Sequence, residues 1–320
     1  GQIVRAKKNG YEIVLVSSGA VGAGMEAMGF QKRPTRLEEL QACAAVGQSR
    51  LMALYQELFA AHSLQVAQVL LTHSDLEDHD RHLNARNTLI ALLERGVIPV
   101  INENDAVSFT ELTVGDNDKL SALVSALLSA DLLVLLTTAD GLVRDYGKTN
   151  AKLISTVRKI DATTKRFAGG TKSTTSIGGM ATKLEAAKIV VRAGIPMVIA
   201  NGRTRGILSN ILAGKHLGTL FLPGADRLKA RKRWIAFFHH PKGVLVVDDG
   251  AKTALRERGM SLLAPGIIEC TGEFVTGDVV KVCDRNGTEF ARGISKFTFD
   301  AIKNGTAKKV IVHRDNLVVL

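Results

Sequence analysis

Short apolar runs alternate with longer stretches of helical apolar spacing through the first two-thirds of the chain. Residues 12–16 predict a strand that ends at Ser17-Ser18-Gly19-Ala20. The spacing over 37–61 predicts a helix with Leu51, Leu54, Tyr55 and Leu58 on one face. Residues 66–71 read as a short strand, 80–95 as a helix with Gly96 where a C-cap belongs, and 97–101 as a brief β-branched strand. A helix over 120–128 and a strand over 132–137 follow, with Asp140-Gly141 as a turn. The last pair is a helix over 180–193, stopped by Gly194, and a strand over 197–200, closed by Asn201-Gly202. Residues 145–179, rich in Lys, Thr, Ser and Gly, read as a loop over a site or a connector.

Strands apolar on both faces and separated by helices predict an α/β fold, an open and mainly parallel sheet flanked by helices. Ligands bind such sheets beyond the carboxyl ends of the strands. Polar and small residues cluster at three of those ends: Ser17 to Ala20, Asn102 to Asp105, and Thr137-Thr138. From about Asp226 the texture changes. Strands over 243–247, 279–282 and 310–312, with helical patterning only at 252–258 and 300–303, predict a small, mostly β domain. The expected division is therefore 1–226 and 227–320.

Composition narrows this picture. Hydrophobic residues make up 46% but aromatics only 5%, so the core must be built from Leu, Val, Ile and Ala. No apolar run reaches the roughly 18–20 residues a membrane span needs, so no membrane role is expected. Cys43, Cys270 and Cys283 form no CxxC pair, which points to a reducing, cytoplasmic compartment and away from a zinc site. The chain carries a net +11, and residues 227–320 alone hold 17 basic against 10 acidic residues, a net +7. That bias suits anionic partners, RNA among them, and equally a solvated surface or an interdomain contact.

Four clusters could carry chemistry. Ser17-Ser18-Gly19-Ala20 lets backbone N–H groups approach an anion, or is an ordinary tight turn. Asn102-Glu103-Asn104-Asp105 could bind an ammonium group or hydroxyls, or be a solvated loop. Gly115-Asp116-Asn117-Asp118 precedes a helix; capping accounts for one of its polar residues but not for all three. Carboxylates there could orient lysines or hold Mg²⁺ at a phosphoryl-transfer site. Ser176-Ile177-Gly178-Gly179-Met180-Ala181-Thr182-Lys183 is glycine-rich and turns helical, which favours phosphate, although the P-loop spacing is absent. His73, His79 and His82 lie near Asp75, Asp78 and Asp80 without paired ligand spacing, and read as a capped helix start rather than a metal site. His239-His240 reads no differently.

Taken in order, Val16-Ser17-Ser18-Gly19-Ala20, Ala45-Val46-Gly47-Gln48, Leu83-Asn84-Ala85-Arg86, Pro99 through Asp105, Val114 through Asp118, and Gly178 through Lys183 resemble the glutamate 5-kinases. The Ile101-Asn102-Glu103-Asn104-Asp105 and Val114-Gly115-Asp116-Asn117-Asp118 segments set it apart from amino-acid kinases acting on acetylglutamate, aspartate or nucleotides. The part from Arg231 to Asp315 resembles the PUA domain appended to many bacterial members.

The resemblance implies an amino-acid-kinase fold and ATP-dependent phosphorylation of the L-glutamate side-chain carboxylate, the first step of proline biosynthesis. It implies that Ser18, Asp105 and Asn117 bind glutamate, with Gly19, Asn102 and Asp116 close by. Thr137 and Thr138 would meet ATP, and Ile177, Gly178, Gly179, Met180, Ala181, Thr182 and Lys183 would form the nucleotide-side loop. Lys183 would act on the transferring phosphoryl group, and Asp118 would organise the positive charges around it. Mg²⁺ would accompany ATP, proline would inhibit by feedback, and the chain would form a homo-oligomer. The family opens on a strand with a V-K-L-G-S/T motif whose lysine contacts phosphate. Gly1 stands after that motif, so a chain without that strand and lysine is expected. Thr138 stands where the family has Asp, and Ser176-Ile177 where it often has Gly-Thr. The rival of another class is an RNA-binding protein acting through the basic C-terminal part.

Overall fold

The computed structural model describes residues 1–107, 116–168, 179–224, 232, 234–238, 241–307 and 309–320. The chain forms two compact units, Gly1–Arg227 and Leu228–Leu320.

In the first unit, β1 (Leu15–Val16), β3 (Ile98–Glu103) and β2 (Val66–Leu71) form a parallel sheet in the order β1-β3-β2. Ile101 is the shared register point, opposite Val16 on one side and Val69 on the other. The carboxyl ends of β2 and β3 therefore lie level, and β1 ends two residues short of them. A second sheet runs β4 (Leu133–Thr137), β8 (Met197–Asn201), β9 (Thr219–Phe221) and β7 (Thr156–Val157), with β4 and β8 parallel and Thr137 opposite Asn201.

Helix α6 (Asp116–Leu128) contacts β1 and β3 of one sheet and β4 of the other. Its Leu120, Ala122, Leu123, Val124, Ala126 and Leu127 are all buried. Each fully buried Leu or Val is worth roughly 1.5–3 kcal/mol, so α6 cannot shift without exposing several such side chains. Its first turn is thereby held at the strand ends.

Two expectations need correction. Helix α3 (Leu37–Ala60) forms, but Leu54 and Leu58 are exposed, while Cys43, Ala44, Gly47, Gln48 and Phe59 are buried. The reason is close approach by α2 (Ala20–Ala27): a Cβ on Gly47 would lie 1.7 Å from the Ala20 carbonyl oxygen, and one on Gly24 1.8 Å from that of Cys43. Small residues win that face because the backbones touch. Residues 145–168 are likewise not all loop: β5 (Val143–Arg144) pairs with β6 (Lys152–Leu153), and α7 spans Ala162–Ala168. Short pairs of this kind lack enough periodicity to be seen in sequence. A first helix, α1 (Gln2–Lys8), was also not expected; its Gln2 side chain accepts from the Leu208 and Ser209 N–H groups that open α9 (Ile207–Leu212).

The second unit is a six-stranded, mostly antiparallel sheet over a core that includes Leu245, Val247, Val280, Val282, Phe290, Ile311 and Val312. Strands Ile267–Gly272 and Glu289–Ser295 were missed, since polar residues interrupt both; the last strand runs Val310–Val319, well past the expected end. Among the described residues no helix is long and apolar enough to cross a membrane.

Candidate active site

The site is assembled around the first turn of α6. Neighbouring helical side chains diverge by about a hundred degrees, and here Asn117 and Asp118 point to different clusters. Asn117 Nδ2 donates to the Ser17 carbonyl oxygen at 3.1 Å, to Ser18 Oγ at 2.7 Å and to Asn102 Oδ1 at 3.0 Å. Asp118 Oδ2 accepts from Thr182 Oγ1 at 2.7 Å and from Lys183 Nζ at 3.0 Å. One helix turn thus joins the strand ends of the first sheet to α8 (Met180–Arg192).

Asn102 belongs to the last turn-out of β3 rather than to the loop beyond it, and it is 1% exposed. Its Oδ1 also accepts the Glu103 N–H at 2.9 Å, and its Nδ2 donates to Gln48 Oε1 at 2.9 Å. Gln48 Nε2 continues to Gln68 Oε1 at 3.3 Å. Ser17 Oγ shares a 2.8 Å hydrogen bond with Tyr55 OH, which steadies the end of β1. Gly19, at φ 111°, takes the left-handed conformation that turns the chain into α2.

Beside this network lies a cleft of about 230 Å³ at the ends of β2 and β3, lined by Ala20, Gln48, Gln68, Glu103, Asn104 and Asp105 among others. Asn117 Oδ1 is buried with no hydrogen-bond partner among the described residues. A buried acceptor left open costs roughly 1–3 kcal/mol.

On the other side, the Lys183 and Asp118 side chains are 8% and 15% exposed. In so sheltered a place a pair interacts far more strongly than at the surface. Gly179 begins α8 without a side-chain cap, which leaves first-turn amides available to an anion. Met180 and Ala181 continue that turn, and Thr182 spends its hydroxyl on Asp118 and the Gly179 carbonyl oxygen. Thr137 ends β4, where its carbonyl oxygen accepts the Gly202 N–H at 2.8 Å, and Thr138 is exposed just beyond. Asn201 Nδ2 donates to Asp140 Oδ1 at 2.9 Å at the same sheet end.

Ile177 and Gly178 lie outside the described residues, as do Val114, Gly115, Ser176, His239, His240 and the side chains of Asp116, His73 and His79. His82 is buried against the Leu76 carbonyl oxygen, Thr72 and Asp75 form a capping box, and Asp78 caps the following helix. Among the described residues no group of three His, Cys, Asp or Glu could hold a metal ion.

In the sequence Gln48 stands in a motif without a role, Tyr55 only as part of a helix face, and Gln68 carries no mark at all. Their signal lay in the fold, because amides on α3 and β2 meet β3 only after packing.

Residues 1–201 match the amino acid kinase family and residues 243–314 the PUA domain. The chain is 46% identical to a glutamate 5-kinase of Geobacter sulfurreducens over 335 aligned residues, spanning all of this chain and 90% of that one. It is 45% identical to a glutamate 5-kinase of Vibrio vulnificus, spanning 100% and 88%. Among solved structures, a carbamate kinase from Giardia lamblia bound to AMP-PNP is similar over 70% of this chain and 87% of that one, at 18% identity and a TM-score of 0.49.

Proposed function

Since the chain belongs to the glutamate 5-kinases of the amino acid kinase family, and so phosphorylates glutamate with ATP in the first step of proline biosynthesis, we propose how its own residues divide that work. Glutamate occupies the cleft at the ends of β2 and β3. Its ammonium group meets the Asp105 carboxylate and Asn117 Oδ1, with Ser18 and the nearby Gly19, Asn102 and Asp116 completing the half-site. ATP lies toward Thr137, Thr138 and the segment Ile177, Gly178, Gly179, Met180, Ala181, Thr182, Lys183. The observation that carries this division is the first turn of α6, where consecutive side chains serve the two halves.

The nucleophile needs no base. A glutamate carboxyl has an ordinary pKa near about 4.3 and is ionised at neutral pH. One of its oxygens attacks the γ-phosphorus in line; that O–P bond forms as the bond from phosphorus to the ADP oxygen breaks. The obstacle is bringing two anions together, so positioning and cationic screening supply most of the catalysis. Lys183 provides the positive charge, and Asp118 holds its ammonium at 3.0 Å and keeps it aimed. Mg²⁺ would enter as the counter-ion of ATP and screen the charge of its phosphates.

The reading extends to a cytoplasmic homo-oligomer inhibited by free proline, supported by the family and by three unbridged cysteines. For the second unit, RNA contact through its basic surface is the alternative role, supported by its net +7.

Steady-state kinetics of Lys183→Ala test the division of labour. We expect kcat to fall by about 10²–10³-fold, the scale of losing one preorganised electrostatic stabiliser, with the KM for glutamate nearly unchanged. Turnover close to that of the unsubstituted chain would overturn the assignment.

A further inference from the structure

We infer that Gln48 is a positioning residue for glutamate, acting through Asn102 to hold the Asn117 amide in place. The inference rests on the reading that glutamate binds at Asn117. An amide can present either its oxygen or its nitrogen, and the two are nearly equal in shape, so the surrounding hydrogen bonds must decide.

Here the decision is made by groups that cannot change roles. The Ser17 carbonyl oxygen can only accept, so the Asn117 atom beside it at 3.1 Å must be the donor Nδ2. The Glu103 N–H can only donate, so the Asn102 atom beside it at 2.9 Å must be the acceptor Oδ1. With that end of Asn102 set, its Nδ2 points to Gln48 Oε1 at 2.9 Å, and Gln48 Nε2 donates one of its hydrogens to Oε1 of the exposed Gln68.

The result is a directed chain, Asn117 to Asn102 to Gln48 to Gln68, in which each amide donates to the next and the last two line the cleft. What the chain leaves over is Asn117 Oδ1, buried and without a hydrogen-bond partner among the described residues. An acceptor in that place suits the ammonium of an α-amino acid and rejects a carboxylate. Asn102 is 1% exposed, so its amide depends on protein partners, and Gln48, 8% exposed, supplies one of them at the cleft wall.

Gln48 reaches Asn102 because its neighbour Gly47 has no side chain. That absence lets α3 lie against the start of α2, directly beneath Ser18. If Gln48 lost its acceptor oxygen, Asn102 Nδ2 would be buried without a partner. Its amide would then turn to find one, and Asn117 would lose the group that holds it.

The test is a double-mutant cycle with Gln48→Met and Asn117→Ala, read as KM for glutamate, KM for ATP and kcat. Gln48→Met keeps the length of the side chain and removes its acceptor. It should raise the glutamate KM about tenfold, the scale of one hydrogen bond to a charged group, and leave the KM for ATP unchanged. Asn117→Ala alone should raise the glutamate KM at least as much. In the Asn117→Ala background Gln48→Met should add little, because its whole effect passes through Asn117.

If Gln48→Met fails to fold, Gln48→Asn, shorter by one methylene, carries the same prediction. An unchanged glutamate KM in Asn117→Ala would overturn the placement of the substrate itself. A large effect of Asn117→Ala with none for Gln48, or with the two effects fully additive, would overturn the relay alone.

Discussion

A side chain's role here follows from what its polar atoms have left to do. Asn117 has spent its donor on three acceptors and keeps an empty acceptor, while Asp118 has spent one oxygen on two donors. Asp284 in the second unit is a contrasting case, since its bonds explain it completely. Its Oδ2 accepts from Lys252 Nζ at 2.8 Å, and its Oδ1 from the Asn286 and Thr288 N–H groups at 3.0 Å, closing the turn between two strands. Lys252 chiefly, then the backbone donors, hold this carboxyl below its ordinary range. A lowered folded value means the stabilisation is complete above the unfolded value near about 3.9 and is lost as pH falls through the folded one. Thermal unfolding followed by the fluorescence of Trp234, the single tryptophan, should show Tm declining below about pH 4. Asp284→Asn should lower the neutral Tm and flatten that decline. Cys270 completes this scale: burial pushes its thiol up to about 11 against a smaller opposing pull from Lys303, so it stays protonated at neutral pH.

At the scale of elements, the pairing of α2 with α3 governs the half of the site proposed for glutamate. Both helices use glycine where the backbones meet, and both glycines would need their neighbours to move to accept a methyl group. Gly47→Ala should therefore cost roughly 1–3 kcal/mol or more as overpacking. A loss of that size lowers Tm by several degrees in a domain this large. The KM for glutamate should rise with it, since separating the helices draws Gln48 from Asn102, whereas the KM for ATP should hold. A Gly47→Ala protein with unchanged Tm would show that the helices can part freely. The apolar spacing over 37–61 announced the helix but misjudged its inner face, because periodicity counts large apolar side chains and the contact here is made by their absence. Similarly, the run of polar residues after residue 101 read as a loop, yet parallel pairing carries β3 on through Asn102 and Glu103. A strand end that buries an amide looks, in sequence, like the loop that follows it.

At the scale of the molecule, two units with separate cores share one chain. Among the described residues of the second unit, Phe274 and Phe290 are buried, and Phe297 and Phe299 pack against the same core. With those four rings spent on packing, RNA bound there would be held mainly through phosphates by exposed residues such as Arg256, Arg258, Arg285, Lys296 and Arg314. Filter binding of RNA to the full chain should then weaken steeply as salt is raised, with a shallower dependence after Arg256→Glu and Arg258→Glu. Affinity indifferent to salt would remove RNA from consideration. The fold class and the motifs that mark the family were legible in the sequence, because apolar period and local residue order are properties of the chain itself. Which atoms of Asn117, Asn102 and Gln48 face one another was decided only in three dimensions. These residues lie 15 and 54 positions apart, and the direction of an amide is set by backbone groups that meet it only once the helices and strands have packed.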